Sequence, residues 1–149
     1  MISIETYTER HYGGLVSMVL SFREKFLKTM EIQSTEEVLI QNINSIVKST
    51  PEHVFLLLVD GRCEGVLAGV ELPMRSTKER AFQEIMFYIN SPFGKHVRLF
   101  IKNVEECLQS LGFKIIIMSV VENQKTVRLK SLYEKFGYKP METHYMRAL

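Results

Sequence analysis

Glu84 is a carboxylate inside an otherwise apolar segment, Phe82–Ile89, that has the composition of a strand. A carboxylate that lines a partly apolar cleft can act as a general base, for example by taking a proton from an amine that is protonated at neutral pH. The other interpretation is a carboxylate on a solvated face, paired with a lysine or arginine. Strict alternation predicts that four side chains share one face of this strand: Phe82, Glu84, Met86 and Tyr88.

Tyr133 is the second side chain with possible acid–base chemistry. It lies near the end of a predicted helix, directly before Glu134-Lys135-Phe136-Gly137-Tyr138. A phenol can give a proton to a departing thiolate. Packing on an amphipathic helix explains the tyrosine equally well, and both interpretations stay open.

The segment after Ile89 has the features of an anion site. A turn at Asn90–Gly94 leads into a predicted helix, and helix N-termini expose unpaired N–H groups together with a partial positive charge. Gly94 is expected to let the chain turn tightly, and three basic side chains follow it: Lys95, His96 and Arg98. These features suit a pyrophosphate. An ordinary strand-to-helix turn, with its basic residues facing solvent, is the alternative.

Apolar periodicity and turn residues predict the order β-α-α-β-β-β-α-β-α-β. The predicted strands are Ile2–Tyr7, Val54–Val59, Cys63–Leu72, Phe82–Ile89, Lys114–Val121 and Met141–Ala148. The predicted helices run from Gly14 onward, from Ser34 to Pro51, over Lys95–Leu111 and over Asn123–Phe136. This order predicts an α+β (α/β) fold in which helices flank a mixed, mostly antiparallel sheet, formed by one domain over 1–149.

Composition excludes several classes of protein. The chain has 149 residues, 46% of them hydrophobic, and a net charge of +2, which is too weak and too dispersed to indicate nucleic-acid binding. No apolar run approaches the roughly 20 residues of a membrane span, so a soluble, cytoplasmic protein is expected. Cys63 and Cys107 are expected to be small buried apolar groups, and the four histidines show no metal-ligand spacing, so we predict no metal.

Two of these motifs resemble the GNAT (Gcn5-related N-acetyltransferase) superfamily. Phe82-Gln83-Glu84-Ile85-Met86-Phe87 is similar to the central strand of its histone-acetyltransferase branch, in which the glutamate is the general base. Leu132-Tyr133-Glu134-Lys135-Phe136-Gly137-Tyr138 is similar to the L-Y-E-K-x-G-F ending of the family, in which the tyrosine is the general acid. The resemblance implies a GNAT-like fold over nearly the whole chain, with Glu84 and Tyr133 as catalytic residues.

The resemblance also implies acetyl-CoA as co-substrate, in a V-shaped gap between the strand that ends at Ile89 and the strand Lys114–Val121. Backbone groups of Phe87 and Ile89 would pair with the pantetheine arm, and the helix start would hold the pyrophosphate. The implied cofactor-binding residues are Phe87, Tyr88, Ile89, Gly94, Lys95, His96, Val97, Arg98 and Asn123.

The cofactor loop departs from the family pattern Q/R-x-x-G-x-G/A. Phe93 replaces the leading residue, and His96 and Arg98 replace the two small ones. The stretch from Asn123 to Tyr133 is longer than the family spacing by roughly one helical turn, and Asn123 is also a suitable helix cap.

The resemblance therefore implies transfer of an acetyl group from acetyl-CoA to a primary amine of unknown identity by direct attack. No nucleic-acid or membrane partner is expected, and the last strand is a plausible homodimer edge. The alternative function is a catalytically inactive GNAT-fold binding or structural module, similar to GNAT-like proteins encoded by phages.

Overall fold

The structure is a computed structural model that describes residues 1–25, 34–120 and 126–149. Its strands are β1 (Ile2–Thr6), β2 (Val54–Val59), β3 (Arg62–Leu72), β4 (Ala81–Ile89) and β5 (Ile115–Ile117). Its α-helices are α1 (Tyr12–Lys25), α2 (Glu36–Ser49), α3 (Val97–Ser110) and α4 (Thr126–Lys135). The chain divides into two compact units, Met1–Ile117 and Met118–Leu149, and each is described by itself.

The five strands of the first unit form one sheet in the order β1-β2-β3-β4-β5. The first three pairings are antiparallel, and β4 pairs with β5 in parallel, so the predicted mixed, mostly antiparallel sheet is confirmed. The predicted hairpin between β2 and β3 turns at Asp60 and Gly61, whose φ angles are 49° and 77°. Positive φ at both turn residues matches the twist of the strands they join.

Helices cover both faces of the sheet. On one face, α1 and α2 contribute Leu15, Val19 and Ile43 to a core that includes Val66 and Tyr88 of the sheet. On the other face, Phe100 of α3 packs against Phe87 of β4, with ring centroids 6.1 Å apart. Among the described residues, no helix combines the length and hydropathy that a membrane span requires.

Local capping explains where the helices begin and end. The side chain of Thr35 accepts a hydrogen bond from the backbone N–H of Val38 at the start of α2. Gly112 has a φ of +93° after α3, and the N–H of Phe113 donates to the carbonyl of Leu108 at 3.1 Å. This geometry is a Schellman motif, and it confirms the predicted role of Gly112 as a C-terminal cap.

A β-bulge interrupts the pairing of β3 with β4. Ala68 pairs with Met86, whereas the next residue, Gly69, pairs with Glu84, so Ile85 is an extra residue in β4. A bulge changes the face on which subsequent side chains lie. The predicted common face of Phe82, Glu84, Met86 and Tyr88 is therefore wrong. The ring of Phe82 contacts those of Phe55 and Phe113, whereas Met86 and Tyr88 pack with the α1–α2 core.

Gly69 is required by the close approach of the chains at this bulge. A Cβ atom at Gly69 would lie 2.3 Å from Cζ of Phe82 and 2.4 Å from the carbonyl oxygen of Gln83.

We expect Gly69→Ala to lower the free energy of unfolding by about 1–3 kcal/mol, because backbone and a packed ring would have to move. Urea unfolding measures this change, and Gly13→Ala is the control, because a Cβ there meets nothing within 4 Å. Equal stability of the two variants would contradict this geometry.

Two strand predictions differ from the structure. The predicted strand Lys114–Val121 is limited to Ile115–Ile117, and Val121 lies outside the described residues. The predicted strand Met141–Ala148 is wrong, because residues 138–149 have no regular secondary structure. The alternation of Met141–Ala148 is a local signal, whereas a strand forms only where a partner satisfies its backbone groups.

Cys63 and Cys107 are half-buried and not fully buried as expected. Burial raises the pKa of the Cys63 thiol to about 11, and the thiol donates a hydrogen bond to the carbonyl of Gly65 at 3.6 Å. A Cβ atom added at Gly14 would lie 2.7 Å from the Cβ of Cys63, so α1 approaches the sheet closely at this point. Because the thiol stays protonated at neutral pH, Cys63 is a packing residue and a poor nucleophile.

Candidate active site

Within the first unit, part of one edge of β4 has no strand partner, and we call this part the open edge. The parallel ladder with β5 joins only three residue pairs, from Ala81 with Ile115 to Gln83 with Ile117. From Glu84 to Ile89, no described residue of the first unit pairs with β4 on the side away from β3. Because β5 ends at Ile117, the remainder of β4 has no strand partner on this side within the first unit.

The backbone of Phe87 and Ile89 faces away from β3, toward the open edge. The N–H of Asn90 donates to the carbonyl of Glu64 at 2.8 Å, so Asn90 directs its backbone N–H toward β3. Successive residues of a strand direct their backbone groups toward opposite edges. Ile89 and Phe87 therefore present their N–H and carbonyl groups to the open edge, where an extended ligand could pair with them.

Glu84 directly follows the last residue of β4 that pairs with β5, Gln83. It is 6% exposed and pairs with Gly69 directly beside the bulge. The interpretation of Glu84 as a solvated surface carboxylate is therefore wrong. The role of Glu84 as a general base stays a prediction.

The open edge leads through a short turn to the start of α3. A 3₁₀-helix, Phe93–His96, precedes α3, so the α-helix begins at Val97 and not at Lys95 as predicted. Lys95 and Arg98 are exposed and His96 is half-buried. The first turn of α3 contains no acidic residue, so its partial positive charge is not offset there.

Gly94 has a different role from the one predicted. Its φ lies outside the left-handed region, and a Cβ there would meet nothing within 4 Å. The turn therefore does not depend on a glycine at this position. The glycine leaves open space beside the helix start, where an anion can approach the backbone closely.

Tyr88 and Val97 complete the predicted cofactor contacts of the first unit. The ring of Tyr88 is buried in the core and packs edge-on against Phe22, with centroids 6.2 Å apart. Val97 is half-buried at the start of α3. Both remain predictions as cofactor contacts.

Tyr133 belongs to the second unit, and its side chain is buried. Its hydroxyl donates to the carbonyl of Ser119 at 3.3 Å, and its ring packs against Tyr138 with centroids 5.6 Å apart. Gly137, with a φ of +89°, ends α4 as predicted, and the N–H of Tyr138 donates to the carbonyl of Tyr133. Asn123 lies outside the described residues.

The sequence prediction missed Ile85 as the extra residue of a bulge in β4. An isolated glycine inside a strand pattern often marks a bulge or a close approach of two chains, so Gly69 was the available signal. Within the part of the chain that the structure describes, no group of three or more His, Cys, Asp or Glu side chains could hold a metal ion.

No family model and no curated protein matches this sequence. The structure, in contrast, is similar to many solved structures, and acetyltransferases are among them. A ribosomal-protein-alanine N-acetyltransferase from Brucella melitensis biovar Abortus 2308 is 14% identical with a TM-score of 0.74, and the match covers 99% of each chain. Glucosamine-6-phosphate N-acetyltransferase from Arabidopsis thaliana is also 14% identical, with a TM-score of 0.67 over 99% of this chain and 98% of that one.

A third similar structure is AAC(6')-Iy in complex with the bisubstrate analog CoA-S-monomethyl-acetylneamine. It is 10% identical, with a TM-score of 0.72 over 100% of this chain and 98% of the other. The chain therefore has the GNAT fold, as the sequence motifs predicted. Because these identities are low, the similarity establishes the fold, and activity has to be argued from the site.

Proposed function

We propose that this protein is an N-acetyltransferase that transfers an acetyl group from acetyl-CoA to a primary amine, through one acyltransferase domain that spans residues 1–149. The observation that carries the proposal is the open edge of β4, which runs from buried Glu84 past the backbone of Phe87 and Ile89. That edge leads to a basic helix start with open space at Gly94. Similar structures include acetyltransferases, one of them bound to a CoA-containing analog.

The residues at this edge fit the parts of acetyl-CoA in order. Backbone groups of Phe87 and Ile89 would hydrogen-bond the amides of the pantetheine arm as an added strand does. The N–H groups at the start of α3, with Lys95 and Arg98, would bind the pyrophosphate. A backbone N–H at the open edge would also polarise the thioester carbonyl.

In the proposed reaction, Glu84 takes a proton from the ammonium form of the acceptor. The amine nitrogen then forms a bond to the acetyl carbon, the carbon–sulfur bond breaks, and the electron pair leaves with the thiolate. Tyr133 protonates that thiolate. The products are an N-acetylated amine and free CoA, and much of the acceleration comes from holding amine and thioester together.

Gly94→Ala tests the cofactor contact without disturbing the fold. The added methyl group has room in the protein, but it would occupy the space through which a phosphate approaches the backbone. We expect the KM for acetyl-CoA to rise about tenfold, which corresponds to about 1.4 kcal/mol of binding free energy. The steady-state rate of CoA thiol release, measured over a range of acetyl-CoA concentrations, gives this KM.

The matched control for this variant is Gly13→Ala, since a Cβ at Gly13 also meets nothing within 4 Å and lies far along the chain from the turn. We expect the control to keep the KM for acetyl-CoA, and both variants to keep the thermal stability of the wild type or exceed it slightly. If Gly94→Ala leaves the KM for acetyl-CoA unchanged, the pyrophosphate does not bind at the start of α3.

A further inference from the structure

An apolar cavity of about 250 Å³ lies between α1, α2 and the sheet. Leu15 and Val19 of α1 and Ala68 of β3, all buried, contribute to its lining. Two exposed residues, Asn42 of α2 and Ile85 of β4, line it as well. Because exposed side chains form part of its wall, the cavity of the described structure is open to a ligand.

We propose that this cavity binds the hydrocarbon chain of the acyl donor, so that CoA thioesters with about four to six acyl carbons bind more tightly than acetyl-CoA. The inference rests on the proposed function and names the class of donor for the same site.

The length of the pantetheine arm places the thioester beside Ile85. With the pyrophosphate at the start of α3, the arm would run along the open edge from Ile89 toward Glu84. Its two amides would pair with Ile89 and Phe87, and the next two strand residues, to Ile85, cover about 7 Å. The cysteamine unit and the thioester span most of that length, so the first carbons of an acyl chain would lie next to Ile85.

The bulge in β4 brings the cavity to the same residue. Consecutive strand residues normally lie on opposite faces of a sheet. Ile85 is the extra residue at the bulge, and both Ile85 and Met86 line the cavity. An acyl chain that continues from the thioester past Ile85 would therefore enter the cavity.

The acyl chain and the proposed base would lie on opposite faces of the sheet. Ala68 lines the cavity, and its neighbour Gly69, which pairs with Glu84, lies on the other face. A thioester at an unpaired strand edge is accessible from both faces. The amine would approach from the face of Glu84, its nitrogen would form a bond to the carbonyl carbon, and the carbon–sulfur bond would break as it does for acetyl-CoA.

The chemistry of the walls selects an uncharged acyl group. None of the described residues that line the cavity carries a charge, and Asn42 is the polar one among them. Each methylene group that leaves water there favours binding by about fourfold. The carboxylate of a succinyl group would lose water without gaining a cationic partner. Butyryl-CoA and succinyl-CoA, whose acyl groups both have four carbons, therefore form a contrasting pair.

The volume sets the length of the chain. An apolar cavity of about 150 Å³ in another protein holds benzene, which has six carbons. The larger cavity here therefore accommodates the five carbons that a hexanoyl group carries beyond its carbonyl.

The test is calorimetric titration of the full chain with acetyl-CoA, butyryl-CoA, succinyl-CoA and hexanoyl-CoA in the absence of an amine. We expect the Kd for hexanoyl-CoA to be at least tenfold lower than that for acetyl-CoA, and the Kd for butyryl-CoA to be at least threefold lower than that for succinyl-CoA. Asn42→Trp, which places a large ring at the opening, should reduce the preference for hexanoyl-CoA over acetyl-CoA to less than twofold.

Val38→Trp is the matched control. Val38 is 52% exposed, lies one turn from Asn42 on α2, and does not line the cavity. We expect this variant to keep the wild-type preference for hexanoyl-CoA within twofold.

Failure of the inference and failure of the proposed function give different results. If acetyl-CoA binds but hexanoyl-CoA binds no more tightly, if succinyl-CoA binds as well as butyryl-CoA, or if Asn42→Trp keeps the full preference, the cavity is not the acyl site. If neither CoA nor any of its thioesters binds, the proposed function itself is overturned, and the donor assignment is overturned with it.

Discussion

Replacing Glu84 with glutamine is expected to lower kcat by about 100-fold or more, because a positioned general base typically contributes between about 10² and 10⁴ to the rate. Glutamine keeps the size of the side chain but cannot accept the proton of the ammonium group. Glu84 is buried beside the bulge and not on a solvated face. A water molecule would therefore be a poor substitute for the carboxylate as the proton acceptor. Steady-state kinetics over a range of amine concentrations measures the change.

The same variant should keep its affinity for acetyl-CoA, because the proposed cofactor contacts are backbone groups of Phe87 and Ile89 and the start of α3. Thermal-shift titration with acetyl-CoA separates this affinity from turnover. Glu106→Gln, which removes an exposed carboxylate from α3, is the control for net charge and should leave both quantities unchanged. A Glu84→Gln enzyme with full kcat would exclude Glu84 as the base.

Replacing Tyr133 with phenylalanine is expected to lower kcat by about 100-fold, since the proposed general acid is lost while the ring remains. The ring contact with Tyr138 does not involve the hydroxyl, so the end of α4 should stay folded. The hydrogen bond to the carbonyl of Ser119 is lost as well, at a cost of about 1 kcal/mol in stability. Release of CoA thiol measures the rate, and thermal unfolding measures the stability.

Tyr138→Phe is the matched control, because it removes the same chemical group from the neighbouring ring. If the two variants lose rate equally, the effect of Tyr133→Phe reflects packing at the end of α4. If Tyr133→Phe loses stability but keeps its kcat, the tyrosine is structural and some other group protonates the thiolate.

The sequence predicted most of the sheet because its signals there are local. The apolar run Val54–Val59, the turn at Asp60-Gly61 and the strand that follows are found nearly as expected. Gly112 and Gly137 end their helices as predicted, since a positive φ after a helix favours glycine strongly.

The errors arise where structure depends on distant partners. Alternation alone cannot reveal that Ile85 is an extra residue, because the bulge is defined by the pairing of β4 with Gly69. That single insertion places Met86 and Tyr88 on the α1–α2 face, opposite to Phe82. The segment Met141–Ala148 has the pattern of a strand but forms no ladder.

The candidate site was predicted in part. Glu84 and the turn before α3 were identified from residue types, and the burial of Glu84 removes the solvent-exposed interpretation. The role of Gly94 in the turn was predicted wrongly. A sequence does not distinguish a glycine that must adopt a positive φ from one that only leaves open space beside the backbone. An apolar cavity between α1, α2 and the sheet was not predicted, since its lining comes from five separate elements: α1, α2, β2, β3 and β4.

Thermal-shift titration of the wild-type protein with acetyl-CoA, CoA and ATP tests the central claim most directly. Both CoA ligands should raise Tm, since a ligand at 100 times its Kd adds about 2.7 kcal/mol of stability, which corresponds to roughly 5–10 °C for a protein of this size. ATP, a polyphosphate without pantetheine, should produce a much smaller shift, and Gly94→Ala should need higher acetyl-CoA for the same shift. A cooperative melt whose Tm does not change with either CoA ligand at millimolar concentration would contradict the proposed acetyltransferase.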